Sequence, residues 1–136
     1  MYGGAIVDSS TWGSGKGGKV TIKAGDMLLD GHGYSLAVNG VSLTTGIYSE
    51  AVFGATGDGN NLDITVLNSL SVRDMAEIGS ATDRSSGNSG RIAVKAQDIL
   101  IDGHGELDFT GIFSATIYGS GNANEFLLWQ GDRFRF

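Results

Sequence analysis

The chain has 136 residues, with nine Lys or Arg against fifteen Asp or Glu and a net charge of −6. This acidic balance argues against nucleic acid and against anionic membrane surfaces as partners, and no apolar run approaches the ~18 residues that a membrane span needs. Twenty-three glycines, no proline and no cysteine exclude collagen, a proline-rich linker, a disulfide scaffold and a thiolate metal site.

The first segment in chain order is IVDSSTWG (6–13), an isoleucine followed by small and hydroxyl residues and closed by aromatic-Gly. A polar glycine loop, SGKGG (14–18), comes next. The run GGKVTIKAGDMLLDGHG (17–33) then alternates apolar residues at Val20, Ile22, Met27 and Leu29. Alternation in short stretches rich in β-branched residues predicts two strands with one buried face. An eleven-residue insertion, YSLAVNGVSLT (34–44), alternates Leu36, Val38, Val41 and Leu43 around Asn39-Gly40, which predicts a small hairpin.

The same elements then return. IYSEAVFG (47–54) repeats the first motif and leads into the loop ATGDGNN (55–61). LDITVLNSLSVRD (62–74) is a weaker copy of the two-strand run, with Ile64, Val66, Leu70 and Val72 at the apolar positions and one residue fewer in its middle. IGSATDRS (78–85) has Arg84 where its relatives have an aromatic, and the loop SGNSG (86–90) follows. SGRIAVKAQDILIDGHG (89–105) matches 17–33 at nine of seventeen positions, with Ile92, Val94, Ile99 and Ile101 apolar. A four-residue insertion, ELDF (106–109), precedes IFSATIYG (112–119) and the loop SGNANE (120–125). The tail EFLLWQGDRFRF (125–136) breaks the pattern with six large apolar side chains.

Repetition of one unit at about 30–40 residues predicts an all-β fold, a right-handed parallel β-helix with three short strands per coil and about four coils. The expected repeat domain is 1–124, with coil boundaries near 18, 61 and 90. Residues 125–136 are expected to form an aromatic C-terminal cap or coupling segment. Glycine, asparagine and aspartate are expected at the corners, where φ is positive. A sandwich would show hairpin turns between unlike strands, and an α/β fold would need helical periodicity that is absent.

Both histidines sit in DGHG, at His32 and His104. Two coils apart, they would be about 10 Å from each other, too far to share one zinc ion, whose ligands lie within ~4 Å of one another. DGHG is therefore read as a solvent-facing turn copied by duplication, with no metal, no cofactor and no catalytic residue assigned. The fragment TGDGNNLD (56–63) resembles a calcium-binding nonapeptide but occurs once, whereas such sites are built from tandem copies.

The runs GSGKGGKVTIKAGDMLLDG and EIGSATDRSSGNSGRIAVKAQDILIDG resemble the repeats of filamentous-haemagglutinin-like proteins, the large exoproteins of bacterial two-partner secretion. Gly59-Asn60, Gly87-Asn88 and Gly121-Asn122 match the family's loop, and Trp12-Gly13, Phe53-Gly54 and Tyr118-Gly119 match its aromatic-Gly step. The resemblance covers roughly residues 4–124. It implies a right-handed β-helix in a secreted protein at the bacterial cell surface that serves as an adhesin shaft or surface fibre; an enzyme is not expected, because no spacing singles out a pair of catalytic carboxylates. That family's amino-terminal module carries Asn-Pro motifs, which a chain without proline does not contain. The alternative is a fragment of a carbohydrate-active β-helix, a polysaccharide lyase or hydrolase. Gly31-His32-Gly33 and Gly103-His104-Gly105 match one polygalacturonase motif, but the companion motifs are missing.

Trp12, Phe53 and Tyr118 occupy one repeat position and are the candidate binding residues. Pointing outward they would offer a strip to sugar rings or to a partner's surface. Counting strand parity from the isoleucine that opens each motif places them inward, and they are expected in the core. Expected partners are a carbohydrate or cell-surface ligand and a second copy stacked end to end; nucleic acid and membrane insertion are not expected.

Overall fold

The computed structural model describes residues 1–32, 35–38, 41–104 and 109–135, and of 35–38, 41–43 and 132–135 the backbone alone. All regular structure among the described residues is strand. In chain order the strands are β1 (Ile6–Asp8), β2 (Val20–Ala24), β3 (Met27–Asp30), β4 (Ser35–Val38), β5 (Val41–Thr44), β6 (Gly46–Tyr48) and β7 (Ala51–Val52). They continue as β8 (Leu62–Val66), β9 (Ser69–Arg73), β10 (Glu77–Asp83), β11 (Ile92–Asp102), β12 (Gly111–Ile117) and β13 (Phe126–Arg135).

These strands form two parallel sheets and one hairpin. Sheet I has the order β2-β8-β11-β9-β3, with β13 on the free side of β11. Sheet II has the order β1-β6-β10-β12, with β7 also paired to β10. The expectation of a β-helix with three separate strands per coil is overturned. The first two strand positions of every repeat lie in the same sheet, and in the third copy they are one strand, β11. In that copy Ala96-Gln97-Asp98 has neither glycine nor asparagine to interrupt the strand, so the backbone stays extended and absorbs the step as a register shift against β13. In the first two copies a short break at Gly25-Asp26 and Leu67-Asn68 replaces it.

Strands of successive copies pair in parallel with like residues opposite each other. Val20 faces Leu62, and Leu62 faces Ile92; Ile22 faces Ile64, and Ile64 faces Val94. Leu29 faces Val72, which faces Ile101, and in sheet II Ile47 faces Ile78, which faces Ile112. Side chains from both sheets meet in one core, where Leu29, Ile47, Leu62, Leu70, Val72, Ile78, Ile92 and Val94 are completely buried. Each such side chain contributes about 1.5–3 kcal/mol by leaving water. The columns thin at their ends, where Val20, Ile22 and Leu128 are only partly covered.

Two registers differ from the sequence alignment. The middle copy is one residue longer in its centre than the first, not one shorter. Its first inward residue is Leu62, not Ile64, and the surplus pushes Leu67 out to 70% exposure. In sheet II, Ile6 faces Gly46 instead of Ile47, so the first motif runs one residue out of step with the others.

The hydroxyl and glycine content of the repeat has a packing cause. Ser80 Oγ donates to the Ser49 carbonyl at 2.7 Å and accepts from Gly90 N–H at 2.7 Å, tying strand to loop in the interior. Asn88 donates from its backbone and side-chain nitrogens to Asp58 Oδ1 at 2.8 and 3.0 Å, and its own Oδ1 accepts from Asn122 N–H at 2.9 Å. Gly15, Gly57, Gly87 and Gly121 stack so closely that a Cβ on any of the last three would run into the carbonyl of the glycine beneath it. Close approach, more than positive φ, is why this chain is glycine-rich.

The insertion at 34–44 holds the expected hairpin. β4 and β5 pair antiparallel, with Ser35 opposite Thr44 and Val38 opposite Val41; the turn at Asn39-Gly40 and residues 106–108 of the second insertion lie outside the described residues. The tail expected as cap or coupler forms β13, paired in parallel with β11 so that Phe126 faces Ile92 and Leu128 faces Val94.

Candidate functional site

Where the strands of sheet II end, the chain turns sharply, and Phe53, Arg84 and Tyr118 take the same left-handed backbone, with φ of 51°, 48° and 51°. Phe53 N–H donates to the Asp83 carbonyl at 3.0 Å and Arg84 N–H to the Ile117 carbonyl at 2.8 Å, so the three positions are held one above another. Their side chains leave the sheet in the same direction, outward. Tyr118 is 90% exposed and Trp12 65% exposed, with Phe53 half-buried. The expectation that these aromatics fill the core is therefore corrected. Parity counting assumes extended backbone up to the ring, and a left-handed residue reverses the direction in which its side chain projects. For Trp12 the cause is the one-residue offset of the first motif: the bridge between Thr11 and Ala51 places Trp12 beside Val52 instead of Phe53.

The offset does not prevent contact. The rings of Trp12 and Phe53 stack with centroids 5.1 Å apart and planes 17° from parallel. Arg84 covers Phe53 with its guanidinium carbon 4.6 Å from the ring centroid, and Asp83 Oδ2 holds that guanidinium at 3.1 Å. A row thus runs across successive copies in the order Trp12, Phe53, Arg84, Tyr118. Phe53 is engaged by both neighbours, whereas the outer face of Trp12 and the whole Tyr118 ring are open to a ligand. The row offers aromatic faces at its two ends and a cation between them, an arrangement suited to sugar rings or to a partner's apolar surface.

The described residues of the two DGHG segments, 30–32 and 102–104, lead into turns. His32 and His104 have φ of 52° and 47°, and each backbone N–H donates to the aspartate two residues before it, at 2.9 Å to Asp30 and 3.0 Å to Asp102. Such local side-chain capping is the ordinary use of aspartate in a tight turn. His104 Nδ1 lies 2.8 Å from Asp74 Oδ1 in the intervening copy, and His32 is exposed. Among the described residues no three of His, Asp or Glu gather closely enough to hold a metal ion.

A carboxylate cluster escaped the sequence reading. Glu50 lies in the bend between β6 and β7, its N–H donating to Ser10 Oγ at 3.0 Å, and Ser10 in turn donates to Asp8. Burial, and then the charges of Asp8, Glu77 and Asp83, push the Glu50 carboxyl up to about 7. Tyr48 Oη donates to Glu77 at 3.0 Å and exchanges a 2.6 Å hydrogen bond with Thr44, while burial and the Glu77 charge raise its phenol far above the ordinary range. No spacing in the sequence marks this group, because its members come from three motifs; the glutamate inside the otherwise small-residue run IYSEAVFG was the available signal. No family model, no curated protein and no solved structure matches the chain.

Proposed function

We propose that the chain is a structural and adhesive segment of a secreted bacterial surface exoprotein of the filamentous-haemagglutinin kind, and not an enzyme. The repeat provides a stiff scaffold: each copy adds strands to two sheets and passes its apolar column to the next. The adhesive part is the ring row. The observation that carries this reading is the open placement of Trp12 and Tyr118, two large rings kept in water at the ends of one row. Exposed aromatics arranged on a rigid frame mark recognition surfaces, and rings lose little conformational entropy when they bind.

The test uses beads coated with the purified chain and applied to epithelial cell monolayers. Adhesion well above that of albumin-coated beads, reduced at least fivefold in the Trp12→Ala/Tyr118→Ala variant, is expected. Adhesion no greater than the albumin control, or unchanged by the double substitution, contradicts the adhesive assignment.

A further inference from the structure

The molecule is acidic, yet the outward face of the part of sheet I formed by β2, β8 and the first halves of β11 and β13 is not. Three columns of outward residues cross this sheet. The first, just ahead of the paired strands and aligned by their first backbone hydrogen bonds, contains Lys19, Asn61, Arg91 and Glu125; the second contains Thr21, Asp63, Ala93 and Leu127, and the third Lys23, Thr65, Lys95 and Trp129. Within these three columns four cations therefore stand with two carboxylates. Asp63 is bridged by Lys19 at 2.6 Å and by Arg91 at 3.1 Å. Lys23 is exposed and has no ion pair among the described residues. Lys95 is exposed, with Nζ 4.9 Å from the centroid of the Trp129 ring, which is itself 46% exposed. Between the two lysines in this column lies only Thr65. Asp26 and Asp98 mark its limit, three residues beyond Lys23 and Lys95 respectively.

We propose that Lys23, Lys95 and Trp129 form a binding site for a polysaccharide that carries a uronate on alternate sugars. Lys23 and Lys95 are two strand steps apart, about 9.6 Å, so they address carboxylates separated by a neutral unit. Trp129 stands one further step along the same column, where a sugar ring can stack on it. The charge pattern favours a glycan over nucleic acid. Duplex DNA carries one charge per about 1.7 Å of axis, and a polyanion that dense would meet the repulsion of the whole chain beyond the two unpaired lysines. A glycan with spaced charges is held by short-range contacts alone. This site is on the sheet opposite the ring row and does not depend on it.

The experiment follows Trp129 fluorescence in a Trp12→Phe background, which leaves Trp129 the single indole, during titration with hyaluronan oligosaccharides. Saturable quenching is expected, weakened at least tenfold by Lys23→Gln/Lys95→Gln, with the circular dichroism spectrum confirming that this variant is folded. Neutral dextran should leave the signal unchanged. Absence of quenching by hyaluronan, or equal affinity in the double variant, overturns the proposal. So does equal affinity for dextran sulfate or for duplex DNA with the same lysine dependence, since charge alone would then explain the binding. Bead adhesion that responds only to Trp12 and Tyr118 leaves the two sites separately decided.

Discussion

Left-handed backbone costs a residue with a side chain about 1–2 kcal/mol, and His32, Phe53, Asp74, Met75, Arg84, His104 and Tyr118 all adopt it. They fall at two places only, the DGHG corner and the ring row, and recur there copy after copy. Repetition explains why the cost is tolerated: each turn is fixed by hydrogen bonds to the turn of the adjacent copy, as from Arg84 N–H to the Ile117 carbonyl. Glu50 is a second residue-scale liability. Its folded value of about 7 lies above the ordinary 4.5, so the unfolded chain releases this proton first. The stability associated with the protonated group is complete below about pH 4.5 and is lost as pH rises through 7, by about 3 kcal/mol. Thermal denaturation at pH 5 and pH 8 checks this. The midpoint of the parent chain should fall between the two, and that of Glu50→Gln should exceed the parent at pH 8 by on the order of 10 °C while matching it at pH 5.

At the scale of elements, the glycine column is the most restrictive feature. A Cβ at Gly87 would run into the Gly57 carbonyl, a backbone atom that cannot swing aside, whereas a Cβ at Gly25 meets nothing within 4 Å. Gly87→Ala should destabilise the fold by about 3 kcal/mol or more, while Gly25→Ala should change it by less than about 1 kcal/mol; urea denaturation of both variants measures the contrast. Elements were legible in the sequence where pattern and chemistry agreed. The runs at 17–33 and 89–105 announce the same pair of strands, and Asn39-Gly40 between alternating apolar residues announces the hairpin that β4 and β5 form. The middle copy was misaligned because its first inward residue, Leu62, sits between Asn61 and Asp63 and does not look like the start of a strand. The direction of Phe53 and Tyr118 was hidden because φ at one residue decides it, and no propensity encodes a positive φ for an aromatic. The number of sheets was hidden as well. Corner or extended strand at Ala96-Gln97-Asp98 is settled by stacking against neighbouring copies, which a single segment does not contain.

For the whole molecule, the consequence of parallel pairing between copies is a continuous core with unlike surfaces. Sheet I shows a locally basic face at its first strands; the margin of sheet II shows a row of rings; at the far end of sheet I Arg73 lies between Asp30 and Asp102. A scaffold of this kind adds surface with each repeat without adding new folding problems. All of this requires that strands of different copies lie side by side in the stated register. The chain has no cysteine, so a pair of introduced cysteines reports on that register directly. Ser71 and Leu100 face each other on β9 and β11, whereas Asp98 lies two residues out of register with Ser71. Under mild oxidation, Ser71→Cys/Leu100→Cys should close an intramolecular disulfide nearly completely, because directly paired Cα atoms lie within the ~4.4–6.8 Å that the bond spans. Ser71→Cys/Asp98→Cys should stay reduced. Equal closure of both pairs, or closure of the second alone, would contradict the pairing on which the two sheets, the ring row and the basic face all rest.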